Sequence, residues 1–219
     1  MNIEQARTNM IEQQLRPWGV LNQTILDILS YVPREQFVPT KWQKLAFADC
    51  SIPIGQGQFM MTPRVEARML QALDIKPDDL CLEVGTGTGF MTACMAQLGR
   101  EVDSIDVFES FTREAVRHLK GLNIRNANLS VGNILNDWRK FHTPQYDVIA
   151  VTASMPQALV ELEQQLVIGG RLFAVVGSQY PMQAWLITRE DQDEFERRPL
   201  FETDLPSLIG LSTASVFEF

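Results

Sequence analysis

The sequence predicts an α/β protein built on a doubly wound, mostly parallel sheet. From Leu80 onward, short apolar runs alternate with segments of helical composition, as in chains whose parallel strands are joined by helices. The first run, Leu80–Val84, ends in Gly-Thr-Gly-Thr-Gly and precedes the helical segment Phe90–Leu98. A strand, a glycine-rich turn and a helix in this order are typical of open sheets that bind a ligand at the carboxyl ends of their strands.

The first 75 residues predict a helical and loop extension beside this sheet. Apolar residues at helical spacing indicate a first helix that Pro17 and Gly19 end, and Asn22 can cap a second one. The predicted segments are a helix over 2–15, a helix over 23–30, loop and short helical turns over 33–49, loop over 51–63, and a helix from Pro63 to about Leu73.

Residues 76–219 are predicted to form the sheet domain, in one folding unit with the 1–75 extension. The predicted strands are Leu80–Val84, Glu101–Val107, Asn128–Val131, Tyr146–Val151 and Arg171–Val176. The predicted helices are Phe90–Leu98, Thr112–Leu119 and Ala158–Leu166, the last stopped at Gly169-Gly170. Because the strand-like pieces Ala184–Thr188, Phe195–Leu200 and Ala214–Phe217 lack intervening helices, we expect an antiparallel edge there.

Composition disfavours several functional classes. The 219 residues carry a net charge of −8, which argues against nucleic acid or an anionic membrane as the main partner, since both require a basic face. No apolar run approaches the roughly 20 residues that span a bilayer, and no secretory signal is recognisable, so we expect a cytoplasmic protein. We expect Cys50, Cys81 and Cys94 to be reduced and buried. Because His118 and His142 are far apart, we expect neither a metal site nor a Ser-His-Asp triad.

The glycine loop is the most informative motif. Phe90 stands where a dinucleotide-binding loop would need its third glycine, and no Gly-Lys-Ser/Thr follows, which excludes a phosphate-cradling loop. Asp106 lies 21 residues beyond Gly85, where a carboxylate can accept hydrogen bonds from both hydroxyls of a ribose. Glu83, just before the loop, can pair with a cationic amine. These features predict S-adenosylmethionine as the cofactor; the alternative is a glycine-rich turn beside two surface acids.

A further cofactor contact is expected where the third strand ends. Asn133 offers a donor and an acceptor to the adenine edge, with a plain turn as the alternative. The candidate cofactor-binding residues are Glu83, Gly85, Thr86, Gly87, Thr88, Gly89, Phe90, Asp106, Val107, Asn133 and Ile134.

Further segments, together with the glycine loop, carry a resemblance to a known family. They are Met10–Leu15, Val32–Pro39, Asp49–Gln58, Tyr146–Ala153 and Leu166–Leu172. With Glu83–Phe90 and Asp106, they resemble the protein-L-isoaspartate (D-aspartate) O-methyltransferase family over almost the whole chain. The resemblance implies a seven-stranded, Rossmann-like methyltransferase sheet that binds S-adenosylmethionine. It also implies esterification of the α-carboxylate freed at isoaspartyl linkages, the first step in the repair of damaged proteins.

Two residues depart from the family's pattern. Met61 occupies the position of the serine thought to contact the methyl-accepting carboxylate, and Asn133 stands where an aspartate is usual. Losing a hydroxyl that is bonded to a carboxylate costs roughly 1.5–3 kcal/mol, or about one to two decades in rate or affinity. The candidate catalytic residues are Gln58, Met61 and Thr62. Thr62 supplies the hydroxyl if the loop is offset by one residue; otherwise it caps a helix or is exposed.

The chemistry requires no general base, because a carboxylate with a reference pKa of about 4 is ionised at neutral pH. The leading hypothesis is an isoaspartyl carboxyl methyltransferase that acts on damaged proteins or peptides as a monomer or weak dimer. Met61 keeps open a methyltransferase of the same fold with another acceptor, in which Met61 packs against the cofactor. The alternative outside enzymes is a non-catalytic, S-adenosylmethionine-binding recognition protein.

Overall fold

The computed structural model describes residues 2–137 and 145–211. Its strands are β1 (Ile52–Gly55), β2 (Gln58–Met60), β3 (Leu80–Val84), β4 (Glu101–Asp106), β5 (Ala127–Val131), β6 (Tyr146–Met155), β7 (Leu166–Val176), β8 (Met182–Arg189) and β9 (Phe195–Thr203). Within the described residues, β1 and β2 form a hairpin and the other seven strands form one sheet in the order β5-β4-β3-β6-β7-β8-β9.

The helices lie mainly in the extension and between the parallel strands. They are α1 (Ile3–Met10), α2 (Gln23–Tyr31), α3 (Pro63–Leu73), α4 (Phe90–Leu98), α5 (Glu109–Gly121), α6 (Ile134–Asp137) and α7 (Val160–Glu163), with short 3-10 turns over Arg34–Gln36 and Thr40–Leu45. As predicted, the Asn22 side chain caps α2 by accepting a hydrogen bond from the Thr24 backbone N–H at 3.0 Å. None of the helices in the described part of the chain combines the length and the apolar character needed to cross a bilayer.

The strand order confirms the predicted α/β class. Strands β3 to β7 run parallel, and β8 and β9 add an antiparallel edge. The chain builds outward from β3 to β4 and β5, then crosses back to place β6 on the other side of β3. The carboxyl ends of β3 and β6 therefore flank the switch point, which is where open sheets bind their ligands.

The extension packs directly onto the sheet domain. Leu15 and Phe37 from the extension belong to the same buried cluster as Met69 of α3, Phe90 of α4 and Val148 of β6. Packing is therefore continuous across residue 75. The division into an extension and a domain at that residue stays a prediction.

The structure corrects three predicted elements. Residues 51–63 are not simply loop, because β1 and β2 pair there around a turn in which Gln56 and Gly57 have positive φ. The helix predicted over Ala158–Leu166 is limited to α7, and β7 already begins at Leu166. The Gly169-Gly170 pair does not stop a helix: it lies in β7, where the register with β6 shifts. Glycine accommodates such an irregularity because it tolerates positive φ, +83° at Gly169.

Smaller differences concern the end of the first helix and the burial of the cysteine thiols. The first helix changes to π geometry over Ile11–Leu15 and to 3-10 geometry over Arg16–Trp18 before Gly19 ends it. Cys81 and Cys94 are buried, but Cys50 is partly exposed, so the prediction of three buried thiols is wrong for Cys50. The predicted strand Ala214–Phe217 and His142 lie outside the described residues.

Candidate functional site

The glycine loop between β3 and α4 requires glycine for steric reasons. Gly85 has φ of +100°, and a Cβ there would lie 2.3 Å from the Thr152 hydroxyl oxygen of β6. Gly89 has φ of +86°, and its Cβ would lie 2.8 Å from that of Ala115 in α5. The loop therefore bends sharply at the end of β3 and packs closely against β6 and α5.

Asp106, at the carboxyl end of β4, holds the loop through its carboxylate. Its Oδ2 accepts a hydrogen bond from the Gly87 N–H at 2.9 Å, and its Oδ1 accepts one from the Phe108 N–H at 2.8 Å. The backbone N–H groups of Thr86 and Val107 also interact with this carboxylate. Burial raises the pKa of Asp106, and the backbone N–H groups partly offset this effect.

Glu83, at the end of β3, is completely buried. Its Oε2 accepts hydrogen bonds from the Thr92 and Ser104 hydroxyls at 2.5 and 2.6 Å, and Thr86 in the loop lies 2.6 Å from the Ser104 oxygen. Its Oε1 has no hydrogen-bond partner among the described residues. Burial raises the pKa of Glu83 to about 7. The side chain is therefore fixed in orientation but retains an unused acceptor.

Two adjoining clefts meet at the loop. The Asp106 cleft is lined by Gln58, Asp106, Val107, Phe111, Asn133, Ile134 and the segment Pro206–Ile209, among others. The Met61 cleft is lined by Met60, Met61, Glu66, Glu83, Thr86, Thr88, Phe90 and Met91. Both clefts share Ile54, Phe59, Gly85, Gly87 and Thr152 as walls. They are therefore two halves of one elongated site at the switch point of the sheet.

Most of the predicted site residues line this site. Gln58, Gly85, Gly87, Asp106, Val107, Asn133 and Ile134 face the Asp106 cleft, whereas Met61, Glu83, Thr86, Thr88 and Phe90 face the Met61 cleft. Gly89 lines neither cleft, because it is the point at which the loop packs against α5.

Two of the predicted site residues, Thr62 and Asn133, use their side chains in hydrogen bonds to backbone groups of the protein. Thr62 caps α3, with its hydroxyl oxygen 3.5 Å from the Val65 N–H, and it faces a separate cleft beside Trp18. The Asn133 Oδ1 accepts from the Leu135 N–H at 3.0 Å, and its Nδ2 donates to the Ile209 carbonyl at 3.3 Å. These contacts favour the capping alternative for Thr62 and the turn alternative for Asn133.

Several residues of the site escape prediction from the sequence. Thr152 could have been found, because it follows the strongly apolar core of β6 at the carboxyl end of a central strand. Ser104 and Thr92 carry no local signal of their contact with Glu83. The segment Pro206–Ile209 reaches the Asp106 cleft only because the chain folds back after β9. In the described residues, no group of three or more His, Cys, Asp or Glu side chains is arranged to hold a metal ion.

Comparison with known proteins agrees with this geometry. The sequence model of the protein-L-isoaspartate(D-aspartate) O-methyltransferase (PCMT) family matches residues 5–206. The chain belongs to this family. A protein-L-isoaspartate O-methyltransferase of Syntrophus aciditrophicus (strain SB) is 36% identical over 94% of this chain and 95% of its own length. One from Petrotoga mobilis is 34% identical over 86% and 88%.

A solved PCMT structure shares the fold. A putative protein-L-isoaspartate O-methyltransferase from Plasmodium falciparum, in complex with S-adenosyl-L-homocysteine, superposes with a TM-score of 0.80. The alignment covers 95% of this chain and 98% of that one at 21% identity. The family resemblance and the seven-stranded methyltransferase fold predicted from the sequence are thus confirmed.

Proposed function

We propose that this PCMT-family protein transfers a methyl group from S-adenosylmethionine to the α-carboxylate freed at L-isoaspartyl linkages in damaged proteins or peptides. The observation that carries the proposal is the pair of adjoining clefts, with Asp106 at one end and Glu83 and Met61 at the other. We further propose that the protein acts in the cytoplasm, as a monomer or weak dimer, and not on nucleic acid or membranes.

The residues fit the cofactor from both ends. The Asp106 carboxylate faces the cleft at the end of β4, where it can accept hydrogen bonds from ribose hydroxyls, while Val107, Phe111 and Ile134 offer apolar surface to an adenine ring. The buried Glu83 Oε1, which lacks a partner among the described residues, can accept a hydrogen bond from a cationic amine.

The protein contributes mainly binding, alignment and exclusion of water. When bound, S-adenosylmethionine supplies an electrophilic methyl group on a sulfonium centre. Asp106 and Glu83 orient the two ends of the cofactor, and Met60, Met61 and Phe59 give the acceptor side an apolar lining. The acceptor carboxylate is already ionised, so alignment rather than proton transfer provides the rate enhancement. The Thr88 hydroxyl can donate to the acceptor, because its contact with the Met60 sulfur is weak, at 4.0 Å.

The lining of the Met61 cleft supports a second candidate, a methyltransferase of the same fold with an uncharged acceptor. No Lys or Arg is among the described residues that line this cleft, so none of them neutralises an anionic acceptor there. Met61 also removes the hydroxyl that the family resemblance assigns to the acceptor carboxylate.

Methyl transfer to synthetic peptides tests the two candidates. We expect the purified protein to form methyl ester on an isoaspartyl peptide and not on the matched aspartyl peptide. Turnover confined to another acceptor would favour the second candidate. Cofactor binding without turnover on any native acceptor would leave the recognition-protein alternative.

A further inference from the structure

A buried ion pair reaches the chain segment on the acceptor side of the site. Arg34 of the extension and Glu66 of α3 each have only 1% of their surface exposed. Their contact is bidentate, with Arg34 Nε 2.9 Å from Glu66 Oε2 and Arg34 Nη2 3.1 Å from Glu66 Oε1. The same Nη2 donates to the Met61 carbonyl at 2.7 Å, and Nη1 donates to the Ala46 carbonyl. One guanidinium therefore joins the extension, α3 and the residue before the α3 cap.

The guanidinium also contacts the cofactor side of the site. It lies over the Phe90 ring, 5.4 Å from the ring centroid, and Phe90 is the first residue of α4 after the glycine loop. Phe37 packs edge-on against the same ring, at 5.5 Å between centroids. Arg34 thus touches both the Met61 peptide group and the residue at which the glycine loop ends.

We propose that Arg34 is a positioning residue for methyl transfer, held by Glu66, which fixes the Met61 segment relative to the glycine loop. The proposal rests on the proposed function. Arg34 acts through the Met61 backbone and does not touch the reacting atoms. The Met61 side chain has no hydrogen-bond donor with which to hold the methyl-accepting carboxylate. The path of the backbone at Met61 therefore sets the shape of the Met61 cleft.

Energetics support a geometric role. Removing two charges from water is costly, and replacing a buried ion pair by apolar side chains of similar size is often neutral or stabilising. Stability alone therefore does not require this pair. The ion pair does benefit the alignment of the methyl acceptor with the cofactor, because a misplacement of about 1 Å in a site that works by proximity can cost about 100-fold in rate.

The test compares variants that distinguish the effect of an unpaired buried charge from the loss of the Arg34 contact with the Met61 carbonyl. The double variant Arg34→Met/Glu66→Leu removes both charges together, so that neither is left buried and unpaired. Glu66→Gln neutralises the acid but leaves Arg34 within reach of the Met61 carbonyl. Arg7→Met is the matched control, because Arg7 is a buried arginine of the same extension that stacks on Phe47 and pairs with Glu35.

Three quantities are measured on each full-length variant: kcat with the isoaspartyl peptide, the Kd for S-adenosylmethionine, and hydrogen exchange of backbone amides in residues 58–64. We expect the double variant to lose about 10- to 100-fold in kcat while its Kd stays unchanged, with faster exchange in this segment. Arg7→Met should retain wild-type kcat and exchange. Glu66→Gln removes the charge that holds Arg34, so it should lower kcat and speed exchange, but by less than the double variant.

Several outcomes overturn the proposal. It fails if the folded double variant keeps wild-type kcat and exchange, or if Arg7→Met loses as much activity. If the double variant does not fold, Arg34→Lys replaces it, since a lysine keeps the charge but lacks the planar fork; unchanged kcat and exchange in that variant also refute the role. If the wild-type protein has no turnover on isoaspartyl peptides, the proposed function fails, and the exchange comparison still decides whether Arg34 holds the Met61 segment.

Discussion

Replacing Glu83 with Gln should change how the stability of the protein depends on pH. Glu83 is completely buried, and both of its hydrogen bonds from Thr92 and Ser104 go to one oxygen. Burial disfavours the ionised form and raises the pKa of Glu83 from its ordinary value of 4.5 to about 7. Gln is nearly isosteric and does not titrate, so it removes the pH-dependent contribution with little change in packing.

The sign follows from which state holds the proton. Between pH 4.5 and about 7, Glu83 is protonated in the folded chain and ionised in the unfolded chain. This contribution to stability is fully present below the unfolded pKa and is lost as pH rises through the folded pKa. Each unit of pKa corresponds to about 1.4 kcal/mol, so the rise in the pKa of Glu83 from 4.5 to about 7 corresponds to about 3 kcal/mol. The free energy of unfolding of Glu83→Gln should therefore rise relative to wild type by up to about 3 kcal/mol across this window.

Urea unfolding at a series of pH values measures the difference directly. The two proteins should differ least at low pH and most above neutrality. Asp78→Asn, which removes one exposed carboxyl, provides a control for the loss of a charge. A constant difference between Glu83→Gln and wild type over the whole range would refute the assignment of a proton to buried Glu83.

The remaining predictions concern the two clefts and the glycine loop. Met61→Ser should raise kcat/KM for an isoaspartyl peptide by about 10- to 100-fold, because it supplies a hydroxyl donor to the carboxylate; no gain in a peptide methylation assay would favour another acceptor. Asp106→Ala should weaken S-adenosylmethionine binding by about 1–3 kcal/mol, and unchanged affinity by calorimetry would contradict the ribose role. Gly85→Ala should lower both cofactor affinity and Tm, because its Cβ would meet Thr152 at 2.3 Å. Gly121→Ala, at the end of α5 where nothing lies within 4 Å, should leave calorimetric affinity unchanged and should not lower Tm.

The convergence of the glycine loop with Glu83 and Asp106 was predictable because its determinants are local in sequence. Gly85, Gly87 and the acids Glu83 and Asp106 follow directly from the ends of two neighbouring strands, so their spacing predicts their convergence. Parallel strands with buried faces also give nearly continuous apolar runs, which is why β3 and β6 were recognisable.

The Met61 cleft was less predictable, because its shape depends on contacts between residues that are far apart in the sequence. The sequence identifies Met61 as a departure, but nothing in residues 58–63 indicates that Arg34 holds its carbonyl. The β1–β2 hairpin was missed because its glycines and prolines resemble those of an irregular loop, and its pairing register is a property of two strands together. Even the segment Pro206–Ile209 becomes part of the site only through the return of the chain after β9.

This difference has a consequence for how acceptor specificity can change. Asp106 and the glycine loop hold one another through the Gly87 N–H, whereas the Met61 segment is held from the opposite side by Arg34. A substitution at Met61 therefore leaves the hydrogen bond between Asp106 and the glycine loop intact. It does change the Met61 cleft, which that residue shares with Glu83 and Thr88. Acceptor choice can thus diverge while the contacts of Asp106 are preserved, and the Met61 cleft is the part of this protein in which such divergence would appear.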